Sequence, residues 1–233
     1  MPLARIGDVS LNYAVDGGGD WLVLIGGYAS GNLDAWGAQR EELATAGLMA
    51  YLGIERAHIF GKSLGGCIAQ WLALDQPAKV RSLAMTSTLA RTDKRTGAMV
   101  RWWMDTAKAA GFQALFPGLL TYFYTAEYYE RNGDSIERAA KALSDASRPL
   151  DGFLHTGHAL MTHDTWDRLG DIAAPTLLIC GAEDIITCPR HAEQMGRRIR
   201  NAEVRIVPRT LHGVMTEAPE SFGYIVDFFR RHS

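Results

Sequence analysis

Gly61-Lys62-Ser63-Leu64-Gly65 is the segment that most constrains this chain, because it stands where a strand turns into a helix. Upstream, Ala57, His58, Ile59 and Phe60 form a short run that reads as a buried strand. Downstream, Gly66 through Asp75 reads as a helix, with Ile68, Trp71, Leu72 and Leu74 apolar and Pro77 beyond its end. A Gly-x-Ser-x-Gly at such a junction holds the serine on a tight turn. Small residues are needed two positions to either side, because the strand and helix backbones pass very close there. The hydroxyl then stands exposed at the carboxyl edge of a sheet, beside a helix N-terminus. The competing reading is a glycine-rich turn that contains a serine, and the strand-before, helix-after context argues against it.

A serine hydroxyl is a poor nucleophile, so it needs an imidazole to take its proton and a carboxylate to orient that imidazole. Two polar clusters downstream offer these groups. Thr176 to Cys180 is a continuous apolar run, hence a buried strand, and it ends in Gly181-Ala182-Glu183-Asp184 with Pro189 beyond. Val204, Ile206 and Val207 mark another strand, ending at Pro208-Arg209-Thr210-Leu211-His212-Gly213. Both clusters follow the C-terminal ends of strands, where ligands bind in an open parallel sheet. Taken singly, Asp184 reads as a turn residue and His212 as a loop histidine; with Ser63 in front of them they read as a set.

These pieces resemble the α/β-hydrolase superfamily, in particular its cofactor-free esterases, enol-lactonases and C–C bond hydrolases. The resemblance rests on Leu22-Val-Leu-Ile-Gly26-Gly27-Tyr28, the run Leu52 to Phe60, the Ser63 turn, Pro175 to Asp184, and His212 followed by Glu217-Ala-Pro219-Glu220. It implies an α/β fold with a mostly parallel, doubly wound sheet and a helical cap. By resemblance, Ser63 is the nucleophile, Asp184 the acid and His212 the base. The family places the acid three residues after the glycine, which selects Asp184 over Glu183. The resemblance also implies two oxyanion donors: the backbone N–H of Leu64, and that of Tyr28 in the loop after Leu22–Ile25. Gly26 stands where relatives commonly carry a histidine. No cofactor and no metal are implied.

Lys62, just before the serine, is unusual. It reads either as the partner of an acidic neighbour under the turn, or as a positive charge near the pocket that favours acidic substrates or steadies an oxyanion. Of the other histidines, His58 lies in the strand before the turn and His232 in the tail. His155, His158 and His163 fall in the central helical segment, where solvated or capping roles are expected. His155 and His158 have helical spacing but no carboxylate partner to suggest a metal site.

The 233 residues, 47% hydrophobic and 21% charged, support one sizeable core, and the net charge of −2 without basic runs gives no footprint for nucleic acid or acidic membranes. No apolar stretch approaches the roughly 18–20 residues of a membrane span, and the first residues lack an apolar signal-peptide core. Cys67, Cys180 and Cys188 are unpatterned, so buried thiols in a reducing cytoplasm are expected.

Other elements follow from periodicity. Leu3 to Val15 suggests a hairpin turning at Gly7-Asp8, Leu33 to Leu52 a helix and Val80 to Ser87 a strand. Asp164 to Leu169 reads as an N-capped helix, Pro189 to Ile199 as a helix, and Pro219 to Arg231 as an amphipathic helix with Phe222, Ile225 and Phe229 on one stripe. Residues 91–163 are helical and aromatic-rich, which by resemblance makes them a cap over the site. The expected division is therefore a core of 1–90 and 164–233 with a cap of 91–163.

The expected activity is a serine hydrolase acting on an ester or lactone of a small to medium, largely apolar carbonyl compound. A C–C bond hydrolase of a diketone-type substrate is one alternative, and a catalytically silent ligand-binding member is another. The partner is then a small molecule.

Relatives carry a further strand and helix between the oxyanion loop and the serine strand, about one βα unit of on the order of 30 residues. None is visible between Gln39 and Glu41, as a true deletion or as omitted residues. The Leu3–Val15 hairpin must then pair directly with Trp21–Ile25 or leave a strand-wide gap beside it, and an open edge allows a homodimer.

Overall fold

A computed structural model of the chain describes residues 2–7, 9–28, 38–145 and 150–233. Its elements run in the order β1 (Leu3–Ile6), β2 (Val9–Asn12), β3 (Leu22–Ile25), α1 (Ala38–Tyr51), β4 (Ala57–Lys62), α2 (Leu64–Asp75) and β5 (Val80–Thr86). Three helices follow: α3 (Lys94–Leu120), α4 (Ala126–Leu143) and α5 (Leu150–Thr162). The chain then returns through β6 (Thr176–Gly181), α6 (Pro189–Arg198), β7 (Ala202–Val207), α7 (Val214–Glu217) and α8 (Phe222–Arg231).

Five strands form one parallel sheet in the order β3-β4-β5-β6-β7. Side chains alternate across it, so helices on both sides are needed to bury it. On one face Ile59, Leu83 and Leu178 pack with Met49 of α1, Leu72 of α2 and Met195 of α6. On the other, Phe60, Leu177 and Ile179 pack with Ile225 and Phe228 of α8. Every residue of β6 is buried, as its unbroken apolar run requires.

The segment 91–163 contains α3, α4 and α5, and an antiparallel bridge joins its two ends at Arg91 and Asp164. Arg91 Nε also donates to Asp164 Oδ2 at 2.6 Å. Helix α3 kinks at Gly111, whose φ of 75° favours glycine. The aromatic side chains of this segment divide between two clusters: Trp103, Phe112, Phe116 and Phe153 pack with Leu64, Cys67 and Ile68 of α2, while Tyr124, Tyr128 and Tyr129 pack against Leu120, Ile136 and Ala140 within the segment itself.

Several elements differ in detail from the sequence expectation. Helix α2 begins at Leu64, two residues early, because its first turn is part of the Ser63 turn. The stretch after Asp164 is a 3₁₀ helix, Trp166–Asp171, with Asp164 Oδ1 accepting from the Trp166 N–H at 3.1 Å. In α8 the buried stripe is Ile225, Phe228 and Phe229, while Phe222, at the first position of the helix, is 49% exposed. His163 is buried rather than solvated. Cys67, Cys180 and Cys188 are free thiols, the first two buried. Among the described residues no helix is long and apolar enough to cross a membrane.

The hairpin β1–β2 does not pair with β3. It forms its own two-stranded sheet, in register Leu3↔Asn12 to Ile6↔Val9, and packs on α1. Ile6 lies against Gly47, and the Tyr13 and Tyr51 rings stand 6.3 Å apart. A gap therefore remains beside β3: among the described residues its outer edge has no partner strand, and Leu22 and Leu24 are 43% and 67% exposed. Helix α1 crosses Gln39 and Arg40 without interruption. The expected start of this helix, Leu33 to Gly37, lies outside the described residues. One helical crossover joins β3 to β4 because the two strands are direct parallel neighbours.

Candidate active site

Ser63 links the end of β4 to the start of α2 with φ 55° and ψ −119°, a region that a residue with a Cβ rarely adopts. Its neighbours fix that conformation. The Ser63 N–H donates to the Thr86 carbonyl at 2.9 Å, and the Ser63 carbonyl accepts from Gly66 N at 2.9 Å and Thr88 Oγ1 at 2.8 Å. The flanking glycines are sterically required. A Cβ on Gly61 would overlap the Gly65 carbonyl, and one on Gly65 would overlap the carbonyl oxygens of Ile25 and Gly26.

Two loops bring partners to this turn. The loop after β6 delivers Asp184, and the loop after β7 delivers His212; both side chains are almost completely buried. His212 Nε2 lies 3.1 Å from Ser63 Oγ, and its Nδ1 lies 2.9 Å from Asp184 Oδ2. Asp184 is held from its other side: Oδ1 accepts from Ile186 N at 2.8 Å and Thr187 N at 3.0 Å, and Oδ2 from Thr187 Oγ1 at 2.9 Å. Burial alone would raise its pKa, but the His212 charge, the hydrogen bond to His212 and the Thr187 donors outweigh it. The carboxyl is held at about 2. Glu183 is exposed. The three residues that the sequence selected are thus one hydrogen-bonded chain.

A small cavity of about 50 Å³ opens on Ser63 and His212. Its walls include Gly27, Tyr28 and Lys62 from the core, Trp103 and Leu119 from α3, and Phe123 from the turn between α3 and α4. The Phe123 ring meets the His212 imidazole edge-on at 4.9 Å between centroids. Leu64 is the first residue of α2, so its N–H has no acceptor within the helix. The loop after β3 passes directly over the serine: a Cβ on Gly27 would lie 3.1 Å from Ser63 Cβ. Both residues named as oxyanion donors therefore stand at the serine. The Tyr28 ring stacks on Phe153 at 4.5 Å, and burial raises the pKa of its hydroxyl. Among the described residues, no cluster of three or more His, Cys, Asp or Glu could hold a metal ion.

Sequence reasoning missed the residues that brace the site. Glu217 is the main one: one carboxylate oxygen accepts from the Leu211 N–H in the His212 loop, and the other from Thr125 N at 2.6 Å and Oγ1 at 2.8 Å. It thus ties the histidine loop to the start of α4. Ser87 Oγ donates to the His212 carbonyl at 3.1 Å. The only sequence signal for Glu217 was its place in the matching stretch after His212.

The sequence profile of the alpha/beta hydrolase fold family matches residues 29–219. The 3-oxoadipate enol-lactonase 1 of Acinetobacter baylyi is 28% identical over 178 residues, which span 76% of this chain and 65% of that relative. The 3-oxoadipate enol-lactonase 2 of the same organism is 24% identical over 255 residues, covering 94% of this chain and 92% of the relative. That alignment is longer than the chain itself. The relative therefore carries positions with no counterpart here, on the order of one βα unit. In fold, the crystal structure of the enol-lactonase from Burkholderia xenovorans LB400 superposes with a TM-score of 0.89 at 21% identity, covering 98% of this chain and 100% of that one. The chain belongs to the α/β-hydrolase fold family.

Proposed function

We propose that this protein is a serine hydrolase that cleaves an ester or lactone of a small to medium, largely apolar carbonyl compound through an acyl-enzyme. The observation that carries the proposal is the unbroken hydrogen-bonded chain Asp184–His212–Ser63 opening on an apolar cavity. Ser63 Oγ attacks the carbonyl carbon as His212 Nε2 takes its proton. Asp184 keeps the Nδ1 proton of His212 in place and balances the imidazolium that forms. The oxyanion is held by the N–H groups of Leu64 and Tyr28. His212 then returns the proton to the leaving oxygen, and the ester C–O bond breaks to leave acyl-Ser63. In the second half His212 activates a water, which releases the acid and restores the serine.

The 3.1 Å distance from Ser63 Oγ to His212 supports this reading, being within reach for direct proton transfer. The enol-lactonase relatives support the ester or lactone class. In this reading residues 91–163 act as the cap that sets substrate preference, because Trp103, Leu119 and Phe123 line the cavity. The test is turnover of short-chain 4-nitrophenyl esters. Ser63→Ala is expected to lower kcat by roughly 10⁴ or more with the fold intact by circular dichroism. Wild-type turnover by that variant would refute the assignment.

A further inference from the structure

The cavity wall beside Ser63 carries three hydrogen-bond donors that the proposed chemistry leaves unused. Lys62 lines it, and the strand alternation that sends His58 and Phe60 toward α8 puts Lys62 on that same face, at its upper end. Among the described residues no carboxylate pairs with Lys62, and burial lowers its pKa with no neighbouring charge to offset it. Asp184, the acid of this site, is fully engaged with His212, Ile186 and Thr187. Trp103 Nε1 and Tyr28 Oη, on the walls of the same cavity, are buried and have no hydrogen-bond partner among the described residues. Their rings stand 6.4 Å apart.

A lysine ammonium and an indole N–H can only donate. A partly buried ammonium without a counter-charge and buried donors without acceptors are each costly. The surrounding wall, with Leu119, Leu160 and Ile186, brings no compensating acceptor side chain. A ligand that supplied acceptors and one negative charge would relieve all three at once. During turnover the group that stays bonded to Ser63 is the acyl part.

We propose that the acyl part of the substrate carries a carboxylate a few bonds from the scissile carbonyl, and that Lys62 recognises it with the help of Trp103 or Tyr28. This rests on the hydrolase reading above and narrows it to esters or lactones of dicarboxylic acids. The structural alternative, that Lys62 only packs under the turn, predicts no selectivity for charge.

The experiment compares kcat/KM for two acyl chains of equal length, mono-4-nitrophenyl glutarate and 4-nitrophenyl pentanoate. The wild type is expected to prefer the glutarate by roughly 10-fold or more. Lys62→Met should reduce that preference at least roughly 10-fold, and Lys62→Arg should keep most of it. Melting curves establish that each variant is folded. Free glutarate should also inhibit wild-type hydrolysis of the pentanoate ester competitively, a readout that needs no variant. Equal or better use of the pentanoate by the wild type overturns the proposal, as does an equal loss on both esters in Lys62→Met. If the wild type turns over neither ester, the hydrolase reading fails. Calorimetric binding of glutarate, weakened in Lys62→Met, would then still support the carboxylate site, and no binding would end it.

Discussion

Replacing His163 by glutamine should remove an acid-sensitive element from the seam between core and cap. His163 is 3% exposed and lies where α5 returns to the core, beside the Arg91–Asp164 pair. Its Nδ1 accepts from Trp71 Nε1 at 3.2 Å. Burial lowers its pKa from 6.5 to about 4, with the Asp164 charge and a hydrogen bond to the Leu89 backbone opposing. In the folded protein the ring therefore stays neutral down to about pH 4, whereas in the unfolded chain it takes a proton below 6.5. Stability from this residue is complete above pH 6.5 and is lost progressively as the pH falls toward 4. Linkage gives a loss of about 2 kcal/mol by pH 5 and about 3 kcal/mol near pH 4. For a chain of this size about 2 kcal/mol is about 4–8 °C in Tm. Glutamine can still accept from Trp71 and does not titrate. Urea unfolding at pH 7.5 and 5.0 should show the wild type losing about 2 kcal/mol more than His163→Gln. Equal losses in the two proteins would refute the reasoning.

Two further outcomes follow. Glu217→Ala should lower kcat for a 4-nitrophenyl ester roughly 10-fold or more, because it frees the His212 loop from Thr125, and should cost about 2 kcal/mol in stability; unchanged kcat would show that the loop needs no such brace. The uncovered edge of β3 should make the protein self-associate, so sedimentation velocity should show a dimer that Leu24→Lys dissociates, and a monomeric wild type would show the edge to be covered by the chain itself.

What could be read from the sequence was what local chemistry determines. The Gly61–Gly65 turn, the buried runs of β4 and β6 and the polar clusters after β6 and β7 are short-range patterns, and the structure brings Ser63, Asp184 and His212 together at 2.9 and 3.1 Å. The choice of Asp184 over Glu183 came from the family's spacing; its physical reason, the Ile186 and Thr187 N–H groups that hold one carboxylate and not the other, is three-dimensional. Glu217 was not legible as a brace because its partner Thr125 is far away in the chain. The burial of His163 depends on Trp71, which belongs to another helix. In α8 the periodicity found Ile225 and Phe229, which are buried, but not Phe228, whose burial depends on the cluster it joins with Leu177 and Ile179 of the sheet. The open edge of β3 was legible as a missing strand, whereas the resting place of the hairpin on α1 depends on packing.

The central claim is that Ser63 is an activated nucleophile, and covalent labelling by a fluorophosphonate, followed by intact-protein mass, tests it most directly. The wild type should gain one adduct, mapped by peptide analysis to Ser63. Ser63→Ala should gain none, and His212→Ala should react slower by orders of magnitude. An unlabelled wild type, or equal labelling of Ser63→Ala, would contradict the account.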